Sequence, residues 1–359
     1  MLAPNGTIVH PIREDLRMPD TKELRQAVLD AGVGMYAVLD GAQFDDLPSA
    51  LFDGNFAFRP LYLDRGNGPQ DQLRTAPQMV WLDHDQTGSN ISENVAPTGV
   101  KDFVLDRLLA LVGDRHAVVF WQCKAGGEAL YRHLRGLNMV FIPSDETVDG
   151  DESQEQEHAE DLESGEPRPA NTGPQLVLFR HADSNVLAQV MPALDEAQFA
   201  RFFGPANLIA FAPDPEWASE EGFLIAPRLD DLPQAPAGPL RLDRAVMESM
   251  DELRVQSRRK SIKAYLNDVA PELTANADKT EIENYIISAE KSALRLNIKT
   301  DRGIALWTFT LLLTGGAAMS DPDINRAFLD GRLSGDRVLD EMAEQIIRSE
   351  DDSSTWGGV

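Results

Sequence analysis

Asp83-His84-Asp85 closes an apolar run and offers a carboxylate–imidazole pair to a hydrolytic reaction or to a metal ion. The spacing around it gives little support. The six histidines stand at 10, 84, 116, 133, 158 and 181, no two of them at a zinc-ligand spacing, and there is no His-Glu-x-x-His. A solvated loop is the plain reading, and a metal would need a ligand from elsewhere in the chain. Cys123, the single cysteine, falls between an expected strand and an expected helix, where a nucleophile can sit. No flanking signature accompanies it, so it reads as a half-buried structural thiol. Ala125-Gly126-Gly127 forms the turn into that helix, and its N–H groups could meet an anion. The chain has no Gly-x-x-x-x-Gly-Lys-Ser/Thr, no Gly-x-Gly-x-x-Gly and no Gly-x-Ser-x-Gly. Gly32-x-Gly34 precedes a strand, the wrong order for a dinucleotide turn. No catalytic residue, cofactor site or metal site is assigned.

The most unusual local chemistry is positive. Residues 254–263 hold five basic side chains and no acidic one. On a helix Arg254 and Arg258 share one face, and Arg259 and Lys263 a neighbouring one. Such a stripe on an acidic chain either docks a partner or neutralises the protein's own acidic body. Phe202 and Phe203, beside the Gly204-Pro205 turn, form a second candidate docking group, although adjacent phenylalanines at a helix end also read as core.

These residues belong to a chain of 359 with 33 Lys and Arg against 59 Asp and Glu, a formal charge of −26. That balance argues against a general nucleic-acid binder and against docking on anionic lipid. A length of 359 residues suggests about two domains. A lone cysteine rules out an intrachain disulfide. The first residues lack the basic and apolar regions of a secretory signal, so the expectation is a soluble cytoplasmic protein. Residues 303–320 carry no charge, but Thr308, Thr310, Thr314 and Gly315-Gly316 interrupt the run, which predicts a buried core helix rather than a membrane span.

The element pattern predicts an α/β N-terminal domain, a mixed sheet with flanking helices, followed by an all-α C-terminal module. Short apolar runs predict strands over 35–40, 59–63, 78–82, 117–121, 137–142, 175–180, 208–211 and 222–226. Helical spacing predicts helices over 47–52, 99–112, 128–135, 184–191 and 195–203, with Asp183 or Ser184 and Asp195 as caps. Asp145 to Glu166 holds eleven acidic residues and no Lys or Arg, which predicts a disordered insert over 144–173 in the loop of a hairpin. Removing those eleven charges leaves −15, so the rest of the chain is acidic too. The predicted organisation is an extension over 1–30, the α/β domain over 31–228, a proline-rich linker over 229–240, a helical module over 241–348 and a flexible tail over 349–359.

Six strings in order resemble the type VI secretion effector adaptors, also called effector chaperones. They are Tyr36-Ala-Val-Leu-Asp-Gly-Ala42, Phe58-Arg-Pro-Leu-Tyr-Leu63, Met79-Val-Trp-Leu-Asp83, Leu130-Tyr-Arg-His-Leu-Arg-Gly-Leu-Asn-Met-Val140, Phe179-Arg-His-Ala-Asp-Ser-Asn-Val-Leu187 and Leu194-Asp-Glu-Ala-Gln-Phe-Ala-Arg-Phe-Phe-Gly-Pro205. The match runs over roughly 35–226. The helical tail is similar too, in Asp301-Arg-Gly-Ile-Ala305, Gly315-Gly316 and Phe328 to Leu339. The chain departs from the pattern at His181-Ala182, where an aromatic and its neighbour are usual, and in the acidic insert. The resemblance implies a non-enzymatic protein without cofactors. It would bind a toxic effector, through the effector's N-terminal region, in the bacterial cytoplasm and help load it on a VgrG-type spike. An immunity-like toxin binder and a hydrolase using Asp83, His84 and Asp85 are the alternatives.

Overall fold

The computed structural model describes residues 21–62, 74–84, 96–144, 173–214, 217, 222–276, 278–329 and 333–342. The chain divides into two compact units, Met1–Leu253 and Arg254–Val359.

The first unit is built on strands whose residues are apolar on both faces. β1 (Met35–Leu39), β2 (Ala57–Pro60), β3 (Gln78–Trp81), β4 (Val118–Gln122), β7 (Leu208–Phe211) and β8 (Leu224–Pro227) form one sheet in the order β2-β3-β1-β4-β7-β8. Every neighbouring pair in it is antiparallel. β1 runs through the middle, with Tyr36 opposite both Trp81 and Trp121. Alternation along each strand sends Tyr36, Val38, Met79, Trp81, Val119 and Trp121 to one face. Met35, Ala37, Leu39, Val80, Val118 and Phe120 go to the other. Each face is roofed by helices, so the unit has three layers.

On the second of those faces lie α1 (Thr21–Asp30), α2 (Leu47–Asp53) and α3 (Asp102–Val112), which contribute Leu24, Val28, Leu47, Leu51, Leu105 and Leu108. On the first lie α4 (Gly127–Arg135), α5 (Ser184–Val190) and α6 (Glu196–Phe203), which contribute Leu130, Leu134, Leu187, Phe199, Phe202 and Phe203. The caps follow the local chemistry. The Asp183 carboxylate accepts from the N–H groups of Asn185 and Val186. Asp195 and Gln198 form a reciprocal capping box at α6. Gly113 and Gly204, both with positive φ, end α3 and α6.

A second, three-stranded sheet has the order β6-β5-β9, from β5 (Met139–Ile142), β6 (Gln175–Leu178) and β9 (Leu240–Arg241). β5 and β6 are the expected hairpin, with Ile142 opposite Gln175 at its end. β5 and β9 are parallel, so pairing in this unit is mixed. Arg180, just past β6, pairs with Asp40 at the end of β1 and with Asp183 at 3.2 Å, tying the small sheet to the large one.

Three findings differ from the expected organisation. Residues Thr21–Asp30 form a helix whose Leu24 and Val28 are buried, so part of the expected extension belongs to the core. The expected linker leads directly into β9, where Leu240 and Leu242 are buried in the first unit's core. The division between units falls instead within α7 (Arg244–Val269). The expected insert from 145 to 172, the tail over 349–359 and residues 1–20 lie outside the described residues.

The second unit is helical. Beyond α7 come α8 (Pro271–Asn276), α9 (Lys279–Ala293), α10 (Asp301–Leu313) and α11 (Pro322–Leu329), and residues 335–342 are helical as well. Its core gathers Ile262, Leu266, Ile286, Trp307, Leu311 and Phe328. Trp307 Nε1 donates to the buried Ser292 Oγ at 2.8 Å. Thr308 is fully buried and donates back to the Ile304 carbonyl, which lets a polar residue face this core. No described helix is long and apolar enough to cross a membrane.

Candidate functional site

The basic stripe lies on α7, as its spacing predicts, but its central arginines are held from within. Arg258 reaches Glu290 Oε1 at 3.1 Å and Asp301 Oδ1 at 3.7 Å. Arg259 donates to Glu290 Oε2 through Nε at 3.0 Å and NH2 at 2.7 Å. Glu290, on α9, has 11% of its side chain exposed. It is a clamp between two guanidiniums, and the stripe neutralises the unit's own acids at these two positions. Arg254 is exposed and Lys263 half-buried. The four residues share a helix without forming one open cationic surface.

Phe202 and Phe203 require a correction. Both have no exposed surface. The Phe202 ring lies 5.5 Å from that of Trp121, and Phe203 lies 4.5 Å from Phe199. Exposing a buried phenylalanine costs about 1.5–3 kcal/mol, so both belong to the core and neither presents a surface to a partner. His133 packs behind them, with Nε2 2.8 Å from the Phe202 carbonyl oxygen. Burial pushes its pKa down to about 4, helped by Arg201 and Arg228. His181 is completely buried, pairs through Nε2 with Asn138 Oδ1 at 2.8 Å and is held down to about 3 by burial and by His133. The imidazole thus fills the position where the resemblance expects an aromatic.

Asp83 and His84 do meet, at 2.6 Å from Oδ1 to Nδ1. The other Asp83 oxygen accepts from the Thr98 N–H at 3.0 Å and from the Thr98 hydroxyl at 3.2 Å. Those bonds pin the chain ahead of α3 and account for Asp83 as an anchor. Asp85 lies outside the described residues. Among the described residues no group of three His, Cys, Asp or Glu side chains could hold a metal ion. Cys123 is buried, and burial raises its thiol pKa against the pull of the Ala125, Gly126 and Leu130 N–H groups. The thiolate needed for nucleophilic work is therefore disfavoured. Gly127 is required for packing: a Cβ there would lie 2.5 Å from Trp81 Nε1 and 2.9 Å from Tyr36.

An apolar cavity of about 50 Å³ between α5 and β8 is lined by Leu187, Met191, Phe211, Leu224 and Leu229. That is well below the roughly 300–1,000 Å³ of a small-molecule site. An open cleft of about 350 Å³ between α1 and α3 is lined by Lys22, Arg25, Asp106 and Asp114. Arg25 there already bonds Asp102 and Asp106.

The surface that sequence reasoning missed is the outer face of the small sheet. The register sets Met139 opposite Leu178 and Phe141 opposite Leu176. Met139 is 37% exposed, Leu176 49% and Leu178 52%. The intervening Val140 and Val177 face inward. Arg241 stacks on the Phe141 ring at 4.6 Å. Both strands are uniformly apolar over 139–142 and 176–178, so no apolar–polar alternation marks a solvent face. The only signal was an apolar hairpin too short to be covered by helices on both sides. Comparisons with family models, with curated proteins and with solved structures give no match.

Proposed function

We propose that this chain is a non-enzymatic adaptor. It binds a toxic effector protein in the bacterial cytoplasm and promotes its loading onto the VgrG-type spike of a type VI secretion machine. The carrying observation is that segments from all six strings of the resemblance contribute to a single buried cluster. Tyr36, Leu61, Met79, Leu130, Phe179 and Phe199 belong to it, one from each string. An apolar sheet face open on the surface also supports a role in binding protein. The acidic charge of −26 disfavours nucleic acid and anionic lipid as partners.

Co-expression of the full chain with the products of neighbouring genes, followed by affinity purification and size-exclusion chromatography, tests this reading. A stable complex with a large toxin, joined by the spike protein and dependent on the toxin's N-terminal region, is expected. Inhibition of the toxin through its catalytic domain would instead indicate an immunity protein. Elution alone beside every candidate would overturn the adaptor reading.

A further inference from the structure

The arginines of the first unit dispose of their charge in a few ways. Arg25, Arg59, Arg74, Arg132 and Arg180 pair with carboxylates. Arg107, Arg115, Arg135 and Arg241 lie over aromatic rings. Arg244 is exposed to water. Arg201 and Arg228 do none of these. Both are half-buried, and neither has a carboxylate or a ring as partner among the described residues. Asp230 and Asp231 follow closely in the chain but are exposed and pair with neither arginine. In a chain with 59 Asp and Glu against 33 Lys and Arg, two such arginines stand out.

The fold also brings the two together. Arg201, on α6, donates from Nε to the Gly238 carbonyl at 2.7 Å and from NH2 to the Gly136 carbonyl at 3.4 Å, and its NH1 lies 3.5 Å from His133 Nδ1. Arg228, just past β8, donates to the Gly204 carbonyl, and Gly204 packs directly on the His133 ring. Two guanidiniums from distant segments thus meet at one imidazole, and both charges oppose its protonation. Burial lowers the Arg201 pKa, and no anion raises it again. Helix ends offset part of this charge. Gly136 and Gly204 are the C-caps of α4 and α6. A helix C-terminus carries about half a negative charge, so two of them offset about one of the two positive charges. About one positive charge is left without a counter-ion. The bonds named here do not exhaust the N–H groups of either guanidinium.

We propose that Arg201 and Arg228 form a receptor for a single carboxylate, an Asp or Glu side chain of a partner protein. The inference deepens the adaptor reading and rests on it for the identity of the partner. The surplus of about one charge suits a carboxylate better than a dianionic phosphate. A guanidinium fork matches the two oxygens of a carboxylate, and the resulting bonds are charge-assisted. Partial burial strengthens them, because the arginines have already lost part of their water. At physiological salt, exposed charges beyond about 8 Å are largely screened, so the contact is decided at these two side chains.

The test titrates the full chain, isotope-labelled at histidine, with sodium acetate at neutral pH, sodium chloride holding the ionic strength constant. The His133 ring resonance, assigned by its loss in His133→Gln, reports on the site. A saturable shift with a millimolar Kd is expected. Arg228→Gln is expected to weaken it about tenfold or more, and Arg228→Lys, which keeps the charge and loses the fork, to fall between. The melting temperature in chloride checks that each variant folds, and the titration of the unsubstituted chain decides the matter even where one does not. Absence of a saturable shift, or equal affinity in Arg228→Gln, overturns the proposal. So does inorganic phosphate binding more than about tenfold tighter than acetate, which would make phosphate the ligand. The same substitution is then carried into co-expression with the effector, where it is expected to weaken the complex. An effector complex undiminished by Arg228→Gln defeats this proposal and leaves the adaptor reading standing. Acetate binding at the arginines without any effector complex does the reverse.

Discussion

Glu290 receives two guanidiniums on its two oxygens with 11% of its side chain exposed. Arg258 and Arg259 keep 27% and 41% exposure, so water screens part of the attraction. Glu290→Gln is expected to cost about 1–3 kcal/mol in urea unfolding, because both arginines lose their charged acceptor. Charge reversal at Arg258 and Arg259 is expected to lower the melting temperature, since it sets new carboxylates against Glu290. A simple reading of the stripe as a free docking surface would leave stability unchanged. The buried histidines respond to pH with a defined sign. An unfolded histidine takes up its proton near pH 6.5, whereas burial holds His133 to about 4 and His181 to about 3. The unfolded chain therefore binds more protons below pH 6.5, and stability falls as pH falls toward those values. The expected slope approaches about 1.4 kcal/mol per pH unit for each histidine between pH 6 and 5. His181→Phe should remove one share of that slope in denaturant titrations at the two pH values.

At the scale of elements, apolar spacing located most strands and helices within a few residues. It missed α1, which shows only Leu24 and Val28 as buried apolar residues in a polar decamer, too thin a stripe to stand out. It missed β9, two residues long, because its pairing with Val140 and Phe141 comes from a hundred residues away. The clamp at Glu290 was hidden for the same reason: spacing along α7 shows which residues share a face and not what the facing helix supplies. The exposed apolar face of the small sheet was hidden because β6 has no polar alternation to distinguish its faces. Glycines, by contrast, separate sharply once placed. Gly204 has φ +51°, and a Cβ there would lie 2.2 Å from the His133 ring. Gly204→Ala is expected to lose about 2 kcal/mol or more, from strain and overpacking together. Gly99 has open space within 4 Å, so Gly99→Ala should change thermal stability by less than about 0.5 kcal/mol.

For the whole molecule, the α/β-then-helical order was legible because strands with two apolar faces and helices with one stripe have different periods. The boundary was not. Proline content pointed to 229–240, yet Leu240 and Leu242 are needed to complete the first core. The sheet order carries a consequence for synthesis. β1 emerges early from the ribosome and takes β3 as its neighbour once residue 81 has been made, but its other partner, β4, ends at residue 122. At ~5–20 residues per second that gap lasts roughly 2–8 s. During it the strand Met-Tyr-Ala-Val-Leu has one bare edge and waits for Leu130, Phe199 and Phe202 to roof it, the last of them some eighty residues further on. The central strand of the finished fold is thus an early-made apolar segment of the growing one that waits long for its cover, and a nascent-chain binding factor would meet it there.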